Sequence, residues 1–249
     1  MSGDSKTGSL VTDESSGQTA VIIPVRNEQQ TIGDVLSTLY SQYDYEVIVA
    51  DDASSDDSFA VARQSGACVL PLPINLGAWG AMQTGMRFAL KRGFLRVVTM
   101  DGDGQHHCQE ISRLVSAMNS SPEYDVIIGA CVERGSKLRK WAWSFFRHLT
   151  GVGIEDITSG FRIYNRRAIE ILVKRNATLL DYQDIGVLLL LQRAGLKVGE
   201  VNVTMSPRRS GKSHIYYSWF AVAYYMLFTT VLSLSKGKPL RIKTLNGSL

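Results

Sequence analysis

Two carboxylates, Asp101 and Asp103, and the amide of Gln105 alternate with Gly102 and Gly104 directly after the apolar run RVVTM at 96–100. Oxygen donors at every second position of one strand end suit a hard divalent cation, Mg2+ or Mn2+. Such an ion needs one or two protein carboxylates and takes its remaining ligands from water and a diphosphate. The glycines between them let a ligand approach closely. A plain Asp-Gly turn is the alternative reading of the same residues. His106, His107 and Cys108 follow at once, but no second ligand pair stands at a zinc-like spacing, so zinc is not expected. Two more polar clusters, RNE at 26–28 and DDAS at 51–54, also come directly after apolar runs.

The apolar pattern names the elements that must position these groups. AVIIPV at 20–25, YEVIVA at 45–50, ACVLPL at 67–72, RVVTM at 96–100 and DVIIG at 125–129 are continuous and rich in β-branched residues, which predicts strands buried on both faces. Helical spacing lies between them at 31–42, 57–66, 81–93 and 109–121, with Gly66 and Gly93 as stops. Alternating strands and helices predict an α/β fold with a mainly parallel central sheet flanked by helices. Open sheets of this kind bind ligands beyond the carboxyl ends of their strands, where RNE, DDAS and DGDGQ fall.

Six stretches in order, IPVRNE at 23–28, DDASSDDS at 51–58, NLGAWGAMQTG at 75–85, DGDGQH at 101–106, DITSGFRIYNRRAIE at 156–170 and RAGLKVGEVNVTMSPRRSGKSHI at 193–215, resemble family 2 glycosyltransferases, in particular relatives of dolichyl-phosphate mannose synthase. The resemblance covers about residues 20–216 and implies a GT-A fold, a nucleotide-sugar donor bound at the strand ends, a divalent metal and inversion. Carried onto this chain, it places Pro24, Glu28, Asp51 and Asp52 around the nucleoside. Asp101 faces the ribose or the sugar diphosphate, and Asp103 and Gln105, with Asp101, hold the metal. Arg134, Arg162, Arg208 and Arg209 gather at the acceptor phosphate and the donor diphosphate, where planar guanidinium groups pair bidentately. Asp184, in YQDIG, orients the acceptor or serves as its base. The chain departs from the family at Arg26, where relatives have Tyr or Phe, at Ala53, where they have Gly, and at Gly186, where they have a second acid. Asp52 and Ser54 also suit capping of a helix expected near Asp56. Gly77 and Gly80 are expected to serve packing at a loop and helix start, and Arg166 and Arg167 to be solvated.

The 249 residues, 45% hydrophobic and 20% charged, suffice for one large domain, expected over 19–214 after a mobile leader at 1–18. Three dispersed cysteines read as reduced thiols, and the leader resembles neither a secretory signal nor a transit peptide. Of 27 basic residues, Lys236, Lys238, Arg241 and Lys243 sit in the basic tail at 236–249, leaving 23 against 23 acids, so no nucleic-acid surface is indicated. The tail follows the uncharged stretch 215–234, and SKLRKWAWSFFRHL at 136–149 mixes basic and aromatic residues. Both suit a membrane interface, with packing on the protein or, for 215–234, spanning as alternatives. SGKS at 210–213 is no phosphate loop, because Ser206 stands where that motif needs Gly.

These features predict a metal-dependent inverting glycosyltransferase acting on a membrane-associated acceptor, polyprenyl phosphate, from a cytoplasmic, peripheral position at the inner face of a membrane. Transfer to a sugar hydroxyl and a non-catalytic nucleotide-sugar-binding module are the alternatives. A nucleotidyltransferase would need a Gly-rich signature with Lys or Arg near the first strand, which IPVRNE lacks.

Overall fold

A computed structural model describes residues 18–131, 154, 156, 159–174, 177 and 185–206. Its seven strands are β1 (Thr19–Val25), β2 (Glu46–Asp51), β3 (Cys68–Pro71), β4 (Arg96–Thr99), β5 (Val126–Ala130), β6 (Arg162–Asn165) and β7 (Val198–Asn202). They form one sheet in the order β3-β2-β1-β4-β6-β5-β7. Pairing is parallel at β1·β2, β1·β4, β2·β3 and β5·β7, while β6 runs antiparallel to both β4 and β5. The helices are α1 (Ile32–Tyr40), α2 (Ser58–Gln64), α3 (Gly77–Lys91), α4 (Glu110–Ser120), α5 (Arg166–Leu172) and α6 (Ile185–Arg193).

The five apolar runs form β1 to β5 as expected, and Gly66 and Gly93, both at positive φ, follow α2 and α3. The strands β6 and β7 are additions to that expectation. β6 is four residues long and opens on Arg162, and β7 carries Gly199 and Glu200, so neither presents a continuous apolar run. Arg162 and Glu200 are nonetheless fully buried.

Alternate residues of the central strand go to opposite faces, as the period of a strand requires. Ala20 and Ile22 join Met82, Met86 and Ala89 of α3 and Ile169 and Leu172 of α5 in one core. Val21, Ile23 and Val25 join Val35, Leu36 and Leu39 of α1 and Ile111, Leu114 and Val115 of α4 in the other. The first core is closed by Trp79, whose Nε1 donates to the Ala177 carbonyl at 2.8 Å, and by Gln83, whose Nε2 donates to the Leu172 carbonyl at 2.7 Å.

The chain steps outward from β1 through β2 to β3, then returns to place β4 on the other side of β1. The point of reversal opens a crevice between the carboxyl ends of β1 and β4. Helix α3 crosses beneath it so closely that a Cβ added at Gly85 would stand 2.6 Å from Ile22 Cγ2. Gly85→Ala is therefore expected to lower stability by about 1–3 kcal/mol, read by urea denaturation. Combined with Ile22→Ala, the loss should be smaller than the sum of the two single losses, whereas simple additivity would remove the contact as the cause.

Candidate active site

The loops after β1 and β2 are laced together at the edge of the crevice. Asn27 accepts the Ser55 amide on Oδ1 at 2.8 Å, and its own amide donates to Ser54 Oγ at 3.1 Å. The Glu28 amide donates to Ser58 Oγ at 2.7 Å, and Gln29 Oε1 accepts the Asp57 amide at 3.0 Å. Ser54 and Asp52 therefore do not cap α2. Ser54 holds the first loop, and Asp52 Oδ1 accepts the Leu76 amide at 2.6 Å, tying down the entry to α3. Asp56, one residue before the N-cap Asp57, accepts the first amide of the helix, that of Ser58, on Oδ1 at 3.0 Å. Desolvation alone would raise its carboxyl pKa, but hydrogen bonds from the Ser58 hydroxyl and amide and the Gln29 amide outweigh it and lower the value.

Of the expected donor-binding residues, Pro24 sits in β1 opposite Ala50, and Asp51 ends β2 opposite Val25. Asp51 and Asp52 are 5% and 3% exposed, and Asp51 Oδ1 is buried without a hydrogen-bond partner. A buried carboxylate oxygen left in this state is costly unless a ligand donates to it. Glu28 is half-buried across the crevice; its Oε2 is 3.0 Å from Thr31 Oγ1, which is also 2.9 Å from the Gly102 carbonyl. The loops after β1 and β4 meet through this one hydroxyl.

In the loop after β4, Gly104 at φ +74° turns the chain so that the Gln105 amide donates to Asp103 Oδ1 at 3.0 Å. Asp103 and Gln105 are each 6% exposed, whereas the Asp101 side chain is 38% exposed and open to a ligand. Beneath Asp101 lies His106, a residue to which the sequence assigned no role. Its Nδ1 accepts the Asp101 amide at 3.0 Å, which leaves the proton on Nε2, 3.8 Å from Asp101 Oδ2. The imidazole stacks on Phe161 with ring centroids 5.0 Å apart. Gly160 completes the cradle, since a Cβ there would stand 3.1 Å from Asp101 Oδ1. Both residues belong to the TSGFR stretch, whose match was the available signal.

Arg162 begins β6, pairs with Thr99 and is wholly buried, with Nε donating to the Ser159 carbonyl at 2.7 Å. The structure thus sets it in the sheet behind the Asp101 loop. Arg134, Asp184, Arg208 and Arg209 lie outside the described residues, as do 136–149 and 215–249. Arg166 and Arg167 are exposed as expected; Arg166 pairs with Glu170 at 2.9 Å. At the start of α3, Gly80 packs as expected, its missing Cβ falling 2.6 Å from Leu76 Cβ. Gly77 instead has open space around it and φ +76°, so backbone conformation rather than packing calls for glycine there.

The donor set at this strand end is all hard oxygen, and among the described residues no three His, Cys, Asp or Glu side chains cluster to hold a metal by themselves. Hard oxygen donors of this kind suit Mg2+ or Mn2+ with further ligands from diphosphate and water. The cysteines are free thiols; burial pushes Cys108 up to about 11 and also raises Cys68, beside Glu46. A cavity of about 500 Å³ lined by Tyr40, Tyr45, Glu46 and Cys68 opens at the amino ends of β2 and β3, remote from the acidic loops.

With this geometry in place, comparison with known proteins is informative. The family described as "Glycosyl transferase family 2" matches residues 20–173. The chain is 31% identical over 217 residues to polyprenol monophosphomannose synthase of Mycolicibacterium smegmatis, covering 79% of this chain and 80% of that protein. It is 28% identical over 209 residues to undecaprenyl-phosphate mannosyltransferase of Micrococcus luteus, covering 77% and 85%. Glucosyl-3-phosphoglycerate synthase from Mycobacterium tuberculosis, crystallised with Mn2+ and uridine-diphosphate-glucose, superposes with a TM-score of 0.65 at 20% identity, covering 88% of this chain and 81% of that one. The fold is GT-A, as the sequence motifs imply.

Ala53 explains one departure from those motifs. It adopts φ +55° in the acidic loop after β2, a left-handed conformation that glycine takes without strain. Ala53→Gly is expected to stabilise the protein by up to about 1 kcal/mol, the relief of strain being offset in part by the freer unfolded chain. Thermal denaturation checks it, and a lower Tm would show that the alanine methyl group contributes more than its backbone costs.

Proposed function

Because the chain belongs to glycosyl transferase family 2, we propose that this glycosyltransferase moves a sugar, with inversion, from a nucleotide-diphosphate donor to polyprenyl phosphate, using Mg2+ or Mn2+ at the inner face of a membrane. The observation that carries the reading is the crevice: Asp51 Oδ1 is buried and unpartnered on one side of β1, and Asp101, Asp103 and Gln105 stand on the other. Two strand spacings separate the ends of β2 and β4 by about 10 Å, a span that a nucleoside and its diphosphate bridge. The names of the relatives add the acceptor class, since both refer to lipid phosphates. The Mn2+ and uridine-diphosphate-glucose bound to the solved neighbour support the cofactor and donor class.

Asp103 and Gln105, with Asp101, would hold the cation. When bound, it offsets negative charge that develops on the leaving diphosphate. Asp51 and Asp52 receive hydrogen bonds from the nucleoside, with Pro24 and Glu28 lining the same pocket. Asp101, fixed from below by His106 and Gly160, sets the sugar diphosphate in place. An acceptor phosphate oxygen forms the bond to the anomeric carbon as the bond from that carbon to the donor diphosphate breaks. The electron pair leaves with the nucleoside diphosphate, and one displacement inverts the centre. The acceptor oxygen is ionised at neutral pH, so Asp184 orients it rather than removing a proton. Arg134, Arg208 and Arg209 balance phosphate charge, and Arg162, buried behind the Asp101 loop, adds its positive charge from within the sheet.

Membrane contact falls to 136–149, 215–234 and the basic tail in this reading. Among the described residues, no helix is long and apolar enough to cross a membrane.

A donor screen by nucleotide release, with polyprenyl phosphate and either cation, tests the assignment. Asp51→Ala should weaken nucleotide binding about 10- to 100-fold, the worth of a hydrogen bond to a charged group. Asp103→Asn should abolish most turnover while far-UV circular dichroism stays unchanged. Full turnover in Asp103→Asn would remove the metal assignment. Asp184→Asn separates the acceptors: a loss on the order of 10- to 100-fold fits an ionised phosphate, whereas about 1000-fold or more indicates a hydroxyl deprived of its base. With phosphate, the rate should be flat above the second phosphate ionisation near pH ~6 to 7.

A further inference from the structure

We propose that His107 is a positioning residue: through Ser206 it clamps the segment after β7 onto the loop after β4, and so fixes where the chain begins its course into Pro207, Arg208 and Arg209. The proposal rests on the reading of that arginine pair as phosphate-binding. His107 lies one residue beyond the DGDGQH stretch.

The clamp is built from contacts between residues about a hundred positions apart. His107 Nε2 is 2.7 Å from Ser206 Oγ. The Ser206 amide donates to the Gln105 carbonyl at 2.9 Å, and His106 and Met205 form an isolated antiparallel bridge. One turn further, Glu110 Oε1 accepts both the amide and the hydroxyl of Thr204, at 3.1 and 2.5 Å. Thr204 Oγ1 also lies 3.4 Å from His107 Nδ1.

These contacts select one arrangement of protons. Thr204 has a single hydroxyl proton, directed at Glu110, so toward His107 it can only accept. His107 Nδ1 is therefore the donor toward Thr204, and in the neutral imidazole Nε2 accepts the Ser206 hydroxyl. The neighbouring His106 holds the opposite tautomer, because its Nδ1 accepts the Asp101 amide. The two adjacent imidazoles thus face different tasks, His106 supporting Asp101 from below and His107 holding the incoming segment.

Gln105 joins the two halves. Its amide binds Asp103 Oδ1 at 3.0 Å, and its carbonyl receives Ser206. Arg208 and Arg209 follow Ser206 and Pro207 in the sequence, so fixing Ser206 to the cation loop shortens the search that the proposed reading asks of them. Restricting that search is a gain in positioning, felt by the acceptor more than by the nucleotide.

The test uses the full chain. In His107→Ala, amide hydrogen exchange at Thr204 and Ser206 should accelerate at least about tenfold, and KM for polyprenyl phosphate should rise about tenfold. The nucleotide Kd and kcat should stay within about twofold. Ser206→Ala should match it, and the double variant should add little to either. His107→Gln, whose amide also reaches a hydroxyl, should restore most of the acceptor affinity. An unchanged acceptor KM in a variant whose Ser206 amide has been released would overturn the proposal. So would a nucleotide Kd that rises in step with KM, which would mark general damage to the cation loop. The exchange measurement needs no acceptor: unchanged exchange overturns the clamp itself, whereas absence of turnover by the unaltered protein counts against the acceptor assignment.

Discussion

Strand β1 pairs in parallel with β2 on one side and β4 on the other, and that pairing is the constraint on which the site depends. It makes three strands end together, pointing the same way. The segments that leave them, 26–31, 52–57 and 100–109, have no choice but to share one rim. Register does the rest: Val25 stands opposite Asp51, and the Asp52 amide donates to the Val25 carbonyl at 2.8 Å, so the second acidic loop starts level with the first. Because Ala20 and Ile22 pack on one face and Val21, Ile23 and Val25 on the other, slipping the register by one residue would exchange the two cores.

Gathering carboxylates on that rim has an electrostatic cost, and the backbone meets much of it. Asp52 is held by the Leu76 amide, Asp56 by the Ser58 and Gln29 amides and Asp103 by the Gln105 amide. Each of these bonds fixes a loop and stabilises a charge together. Asp51 Oδ1 and the exposed carboxylate of Asp101 are the places where the protein leaves such service to something else. In the proposed function, substrate recognition and loop order are therefore two uses of one set of acids.

Much of this was legible in the sequence, because continuous β-branched runs and helical spacing are local signals. All five strands read that way form, and the acids flagged after them do stand at strand ends. The misreadings share a cause. β6 and β7 are buried strands with polar members, Arg162, Asn165 and Glu200, whose burial depends on partners distant in the chain. Asp52 and Ser54 look like helix caps locally, but their acceptor oxygens are taken by Leu76 and Asn27. His106, stacked on Phe161 and bonded to the Asp101 backbone, gave no spacing signal at all. Ala53 could be seen to differ from its relatives, but only its positive φ says why glycine belongs there.

The single reversed strand has a consequence of its own. Since β6 runs against its neighbours, the residues that precede it, rather than those that follow it, arrive at the acidic rim. β5 ends at that same rim, and the two ends are stapled: the Gly129 amide donates to the Phe161 carbonyl at 2.8 Å, and Ser159 Oγ donates to the Gly129 carbonyl at 2.6 Å. The points at which the chain departs from β5 and returns to β6 are therefore held side by side. Closing a loop of twice the length adds only about 0.6 kcal/mol. A change in the number of residues between those two points would therefore cost little and leave the pairing of β5 with β6 at the acidic rim as it is.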